Sequence, residues 1–326
     1  MIITRTPLRV SFAGGGTDLR AFYGHHRGAV LSTAIDKYIY ITVNRKFDRK
    51  IRAGYSVTEM VDHVSELKHE LIREALKMVG IQGGIEITSI SDIPSEGTGL
   101  GSSSTYTVGL LNALYAYSGQ LVNPERLADE ACRIEIEICG KPIGKQDQYI
   151  AAYGGLQFIQ FNADETVFTD PLPCTPAVRR YLHQNLLMLY TGMIRSANDL
   201  LREQSRNTEK NDTTMGDLLK MRDLADQLRD CICSGRLNEF GEVLHAGWML
   251  KKTLAQGITT PEIDAWYERA RRCGAIGGKL LGAGGGGFLL LYAHPEHHGE
   301  ICRALPELRP MPFCLEPQGS KIIFIE

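Results

Sequence analysis

Gly97, Gly99 and Gly101 stand at alternate positions and run directly into Ser102, Ser103 and Ser104. Glycine lets a main chain approach a ligand closely and adopt positive φ without a Cβ clash. Downstream, Val108, Leu111, Leu114 and Tyr115 recur at helical spacing, so the serines open a helix. Upstream, Gly84-Ile85-Glu86-Ile87-Thr88-Ser89-Ile90 alternates as a half-buried strand does. A helix start offers unpaired N–H groups and a partial positive charge, which suit a chain of phosphates. The serine hydroxyls add hydrogen bonds or an oxygen ligand for a metal. The segment from Pro94 to Thr105 therefore reads as an anion cradle. No Gly-Lys-Ser/Thr follows the glycines, and Gly-x-Gly-x-Gly is not the dinucleotide fingerprint, so neither a Walker A loop nor a Rossmann turn is implied. Without a nucleophile elbow or a His partner, the serines are not nucleophiles.

Two further glycine segments flank chemistry-bearing residues. Near the N-terminus, Pro7-Leu8-Arg9-Val10-Ser11-Phe12-Ala13 is a short strand ending in Gly14-Gly15-Gly16 and then Thr17-Asp18. Late in the chain, Gly282-Ala283-Gly284-Gly285-Gly286-Gly287 abuts the apolar strand that begins at Phe288. A linker does not run straight into a core strand, whereas a backbone that must pass tightly by a ligand does so.

The elements that must position these residues alternate. Strands are expected near 2–13, 30–43 and 84–90, with helices near 65–79, 102–118 and 124–139. Beyond them come strands near 156–161 and 186–191, a mostly helical stretch over 196–273, strands near 276–281 and 288–293, a terminal helix and a strand over 321–325. The pattern implies an α+β fold, divided into 1–155 and 156–326, with the glycine-flanked strands feeding one cleft. Asn123 caps the helix that Pro124 starts, and Leu127, Ala131, Ile134 and Ile138 form its apolar stripe. Glu135 and Glu137 flank that stripe on opposite sides, and geometry does not choose between them.

Composition bounds the partners. The 326 residues suffice for two domains, and 43% hydrophobic with 23% charged residues is ordinary for a soluble globular chain. A formal net charge of -2 gives no reason to expect nucleic acid or an anionic membrane surface as partner. The eight cysteines show no zinc spacing, Cys231-x-Cys233 being the only close pair, and read as reduced thiols. His25-His26 and His297-His298 lack further ligands, and Trp248-Met249-Leu250 reads as core packing. No apolar run approaches a membrane span and no leader is visible, so a cytoplasmic protein is expected.

The three glycine segments, in this order and spacing, resemble the motifs of the GHMP small-molecule kinases over essentially the whole chain. Those motifs are a Pro-x-Arg/Lys strand, Pro-x3-Gly-Leu-Gly-Ser-Ser, and a C-terminal glycine-rich run. The chain departs from the galactokinase-like members: they carry Gly-Glu-His-Thr-Asp where Gly14-Gly15-Gly16-Thr17-Asp18 stands. That loss of side chains argues against galactose, and the triple glycine looks like the sugar 1-kinase branch.

The resemblance implies a two-domain fold with the ATP and substrate cleft between the domains. It implies ATP bound by Pro94, Glu96, Gly97, Gly99, Leu100, Gly101, Ser102, Ser103 and Ser104. It implies Mg2+ held by Ser103 and by Glu135, the glutamate lying five residues before Gly140-Lys141-Pro142. Gly144-Lys145-Gln146-Asp147-Gln148 is similar to the segment that carries the catalytic aspartate, making Asp147 the group that accepts or orients the acceptor proton. Arg9 matches the basic residue that neutralises the phosphoryl group or holds Asp147. Gly14, Gly15, Gly16, Thr17 and Asp18, with Lys145, Gln148, Gly284 and Gly285, are expected to line the sugar site. A phosphorylated sugar needs a second anion site, for which Arg195, Lys251 and Lys252 are options.

The implied reaction is transfer from ATP to the anomeric hydroxyl of a heptose 7-phosphate, giving the 1,7-bisphosphate for a nucleotide-activated heptose. Kinases of the same fold acting on another sugar or small alcohol, and a non-catalytic sensor, are the alternatives. The sensor is disfavoured because Arg9, Ser103, Glu135 and Asp147 are all present. A homodimer is compatible with this reading.

Overall fold

In the computed structural model, residues 1–94, 97–194 and 197–326 are described. The first half runs β1 (Ile2–Ala13), α1 (Arg20–Tyr23), β2 (Gly28–Arg45), β3 (Ile51–Gly54), β4 (Thr58–Val61), α2 (Glu70–Val79), β5 (Ile85–Ser91), α3 (Ser102–Tyr117), α4 (Pro124–Cys132) and α5 (Gln146–Tyr153). There follow β6 (Leu156–Phe161), β7 (Val167–Pro171), α6 (Pro176–Gln184), β8 (Leu186–Tyr190), α7 (Ala197–Lys210), α8 (Asp212–Ser234) and α9 (Phe240–Lys251). The chain ends with α10 (Pro261–Arg272), β9 (Ala275–Leu280), β10 (Phe288–Ala293), α11 (Pro295–Ala304), β11 (Arg309–Pro310) and β12 (Lys321–Ile325).

β2 organises the larger sheet. It pairs antiparallel with β1 along most of its length, with β6 through residues 28–33 and with β5 through 39–45. β3 joins β5 in parallel and β4 edges it, while β12 covers the free side of β1. A second sheet has the order β11-β8-β10-β9. The hydrogen bonding does not follow a cut at residue 155. β6, β7 and β12 lie beyond that point, yet they complete the first sheet, because the long β2 and the exposed edge of β1 both need ladder partners. The apolar faces gather into two cores, and β10 feeds both, with Leu290 and Tyr292 in the first and Leu289 and Leu291 in the second. Phe12 on β1 meets Phe240 on α9 edge to face at 5.2 Å.

Two local features set up the site. The β1–β2 register jumps between Pro7 and Leu8, one residue before Arg9; such irregularities re-aim a side chain. Beyond α4 the helix continues as a π turn over Arg133–Ile138, a feature common at functional sites. The wider turn overturns the expected stripe. Ile134 and Glu135 point inward, whereas Ile138 is exposed. Among the described residues no helix is long and apolar enough to cross a membrane. All eight cysteines are free, and Trp248 lies fully buried in the second core.

Candidate active site

A cleft of about 1200 Å³ is lined from both halves of the chain, including Arg9, Asp18, Ser103 and Asp147 from one and Lys279 and Gly282 from the other. Its floor is the start of α3. Gly101 caps that helix at φ 79, and a Cβ there would press on Asp147 Oδ2 at 3.1 Å and Arg9 Cγ at 3.2 Å. Only glycine fits both the left-handed backbone and the neighbours. The C-terminal glycine run backs the same loop: a Cβ on Gly282 would lie 2.4 Å from Gly99 Cα.

Arg9, buried on β1, closes on Asp147 with both arms of its fork. Nε donates to Oδ1 at 2.7 Å and Nη2 to Oδ2 at 2.8 Å, while Nη1 reaches the Gly99 carbonyl at 2.5 Å. Such bidentate pairs fix orientation as well as charge. Asp147 sits in the first turn of α5, where the helix dipole favours a carboxylate.

Ser103 and Glu135 also meet. Ser103 Oγ donates to Glu135 Oε1 at 2.5 Å, and Gln148 Nε2 donates to Oε2 at 2.7 Å. Lys141 Nζ donates to Ser103 Oγ at 3.2 Å and lies 3.9 Å from Glu135. Full burial pushes the Glu135 carboxyl up, opposed by the Ser103 bond and by the Lys141 charge. Glu137 is exposed on the outer side. A fully buried carboxylate beside a hydroxyl is a hard-oxygen pair of the kind Mg2+ takes.

Asp18 is buried and ties the Gly14–Gly16 turn to the start of α5. Its Oδ1 accepts from Gly16 N–H at 2.8 Å and its Oδ2 from Gln146 N–H at 3.3 Å. Burial raises its pKa against those bonds, and the charge of Asp147 pushes the same way. Gly15, Gly16 and Asp18 line the cleft, as do Pro94, Gly97, Gly99 and Ser102 to Ser104.

Several expected site residues lie elsewhere. Thr17 is fully buried behind the loop, bonding the Gly14 and Ala29 carbonyls, so it and Gly14 shape the turn instead of facing the cleft. Lys145 turns away to Glu165 Oε2 at 2.5 Å and over the Tyr23 ring. Gln148 holds Glu135 and does not line the cleft. Gly284 lines the cleft, but Gly285 donates its N–H to Ile258 and does not. Leu100 packs into the core while its carbonyl accepts from Arg9 N–H at 3.1 Å. Lys252 pairs with Asp264 at 3.2 Å, whereas Lys251 is buried in the cleft. Glu96 and Arg195 lie outside the described residues.

Sequence reasoning missed Ser11, Lys141, Gln146, Gln204 and Lys279, all of which line the cleft. Ser11 alternates with Arg9 along β1, so strand periodicity could have found it. Gln204, on a largely polar helix, carried no signal.

The GHMP kinases N terminal domain family matches residues 63–155, and the GHMP kinases C terminal family matches 228–309. A D-glycero-alpha-D-manno-heptose 7-phosphate kinase of Campylobacter jejuni is 27% identical over 319 residues, covering 93% of each chain. A galactokinase of Pyrococcus furiosus is 27% identical, with 88% of this chain and 87% of that one covered. A solved D-glycero-D-manno-heptose 1-phosphate kinase from Bacteroides thetaiotaomicron superposes with a TM-score of 0.84 at 24% identity, covering 100% of both chains. Phosphomevalonate kinase of Streptococcus pneumoniae gives 0.81 at 16%, covering 99% of this chain and 100% of its own. At those identities the two structures speak for the fold, whose α+β organisation they share. With both family domains matched and the glycine loops meeting around one cleft, the chain belongs to the GHMP kinases and is a phosphotransferase acting on an alcohol acceptor.

Proposed function

We propose that this chain transfers the γ-phosphoryl group of ATP to the anomeric hydroxyl of D-glycero-D-manno-heptose 7-phosphate, giving the 1,7-bisphosphate. The observation that carries the chemistry is the Arg9–Asp147 pair, set against Gly99 and Gly101 of the phosphate loop. The acceptor is read from the Campylobacter jejuni relative, a heptose 7-phosphate kinase with 93% of each chain aligned.

The loop over Gly97 to Ser104 presents main-chain N–H groups and the start of α3 to the phosphates. Tyr55, His69 and Tyr106, in ring contact along one wall of the cleft, offer a face for the base. Gly15, Gly16 and Asp18 receive the sugar. Asp147 takes or orients the proton of the attacking hydroxyl as that oxygen bonds to the γ-phosphorus and the bond to the bridging oxygen breaks, releasing ADP. Arg9 holds Asp147 in place and carries positive charge toward the transferring group. Ser103 and Glu135 would hold Mg2+, with Gln148 fixing the carboxylate and Lys141 close by. When bound, the ion neutralises charge that develops on the phosphates.

An ADP-release screen over free sugars, sugar phosphates and mevalonate, with heptose 7-phosphate included, tests the reading. Turnover of heptose 7-phosphate well above the rest is expected. Preference for free fucose or galactose, or for mevalonate, would reassign the acceptor within the fold; ATP binding without turnover of any acceptor would point to a sensor.

A further inference from the structure

Two lysines in the cleft have no carboxylate within ion-pair distance among the described residues. Lys251, at the end of α9, is 6% exposed, and Lys279, on β9, is 5% exposed. Lys251 Nζ donates to the Gly282 carbonyl and, at 3.5 Å, to that of Leu280. Lys279 Nζ donates to the Phe12 carbonyl at 3.2 Å. An ammonium has three donors, so each keeps at least one unspent. Among the described residues, neither forms an ion pair with a carboxylate. The charges that reach them are Arg9 and one another, which repel, and Asp18, which attracts. Burial without a close opposite charge is costly for a cation.

Two other polar side chains of the cleft are also unsatisfied. Gln204 Nε2 and Ser11 Oγ are buried, line the same cleft and have no hydrogen-bond partner among the described residues. Buried polar atoms are rarely left so. The group abuts the Gly14–Gly16 turn: Lys279 holds Phe12, and a Cβ on Gly16 would come within 2.3 Å of Gln204 Nε2.

We infer that Lys251 and Lys279, with Gln204 lining the same cleft, form a phosphate-monoester site for the acceptor's own phosphate, separate from the nucleotide cradle. The inference rests on the reading of the acceptor as a phosphorylated sugar. A dianion supplies the charge that the two ammonium groups lack, and its oxygens accept from them and from the amide. The terminal phosphoryl group of ATP has the same chemistry, and Lys251 holds Gly282, which packs on Gly99. The test therefore separates the two sources.

Inorganic phosphate is titrated calorimetrically into the full-length protein saturated with Mg·ADP, and separately into its complex with Mg and a non-hydrolysable ATP analogue. Wild type should bind phosphate in both complexes, and Lys251→Met and Lys279→Met should each weaken binding by about tenfold or more, the worth of a hydrogen bond to a charged group. Lys→Gln variants, checked by thermal melting, replace any methionine variant that does not fold. No phosphate binding by wild type, or equal binding by the variants, overturns the site. Binding with ADP that disappears with the ATP analogue assigns the lysines to the γ-phosphoryl group and overturns the acceptor assignment. Phosphate binding that needs both lysines, in a protein that turns over no sugar phosphate, keeps the site and removes the proposed function instead.

Discussion

Arg9 and Asp147, 138 residues apart in sequence, are joined by two parallel hydrogen bonds of 2.7 and 2.8 Å, and the same guanidinium anchors the Gly99 carbonyl. The glycine loop and the carboxylate at the start of α5 are thus fixed to one rigid group. Asp147→Asn should keep ATP affinity nearly intact while kcat falls about 10²-fold or more, the contribution of a positioned proton acceptor. Near-normal turnover in steady-state assays would remove Asp147 from the chemistry.

Because the fork geometry matters, Arg9→Lys is not a conservative change here. A lysine retains the charge but cannot span both carboxylate oxygens and Gly99 at once. The expected result is a lowered kcat with the KM for ATP also raised, since the Gly99 anchor is lost with the fork. A variant with wild-type constants would mean that charge alone suffices.

The Ser103–Glu135 contact leads to a metal titration. Ser103→Ala and Glu135→Gln should each raise the Mg2+ concentration needed for half-maximal activity, by about tenfold or more. Glu137→Gln, on the exposed side of the π turn, should not. If Glu137→Gln alone shifts the titration, the ligand choice is wrong.

That contrast also shows where sequence reading stopped. The alternating glycines, the serine-capped helix and the strand before them were legible, because backbone conformation and helical period are local properties. Glu135 against Glu137 was not, since a π turn changes the angular step and no residue pattern announced it. Thr17, Lys145 and Gln148 fell in the right segments but point elsewhere; side-chain direction depends on partners such as Glu165 and Glu135 that are distant in sequence. The short β3, β4 and β7 and the eight-residue α5 were too brief for a periodic signal. β12 was read as a strand, yet its place beside β1 is set by an edge that only the assembled sheet reveals.

The meeting of Gly99 and Gly282 gives a packing prediction. Gly282 has φ 71, and an added methyl would fall 2.4 Å from Gly99 Cα. Gly282→Ala therefore combines left-handed strain with a backbone clash, for a stability loss of roughly 1–3 kcal/mol. Relief requires the phosphate loop to move, so the KM for ATP should rise. Denaturant melts and nucleotide titrations together check this, and an unchanged KM beside lost stability would show that the loop does not yield.

Lys251 gives the pH dependence. Burial brings its pKa from 10.5 down to about 8, with the Arg9 charge adding to the drop and Asp18 opposing it. Below pH 8 the folded ligand-free protein must carry a buried cation, at a cost of roughly 3 kcal/mol relative to the unfolded chain. Between about pH 8 and 10.5 the unfolded chain binds the extra proton, so this penalty shrinks as pH rises. Lys251→Met should accordingly unfold at higher denaturant than wild type at pH 7, with the gap closing toward pH 10. Phosphate binding should do the reverse: the anion favours the ammonium, so its affinity falls as pH rises through about 8, and at pH 8.5 binding takes up a proton from the buffer. Calorimetry in buffers of different ionisation enthalpy reads that uptake directly, and its absence would mean that Lys251 does not face the anion.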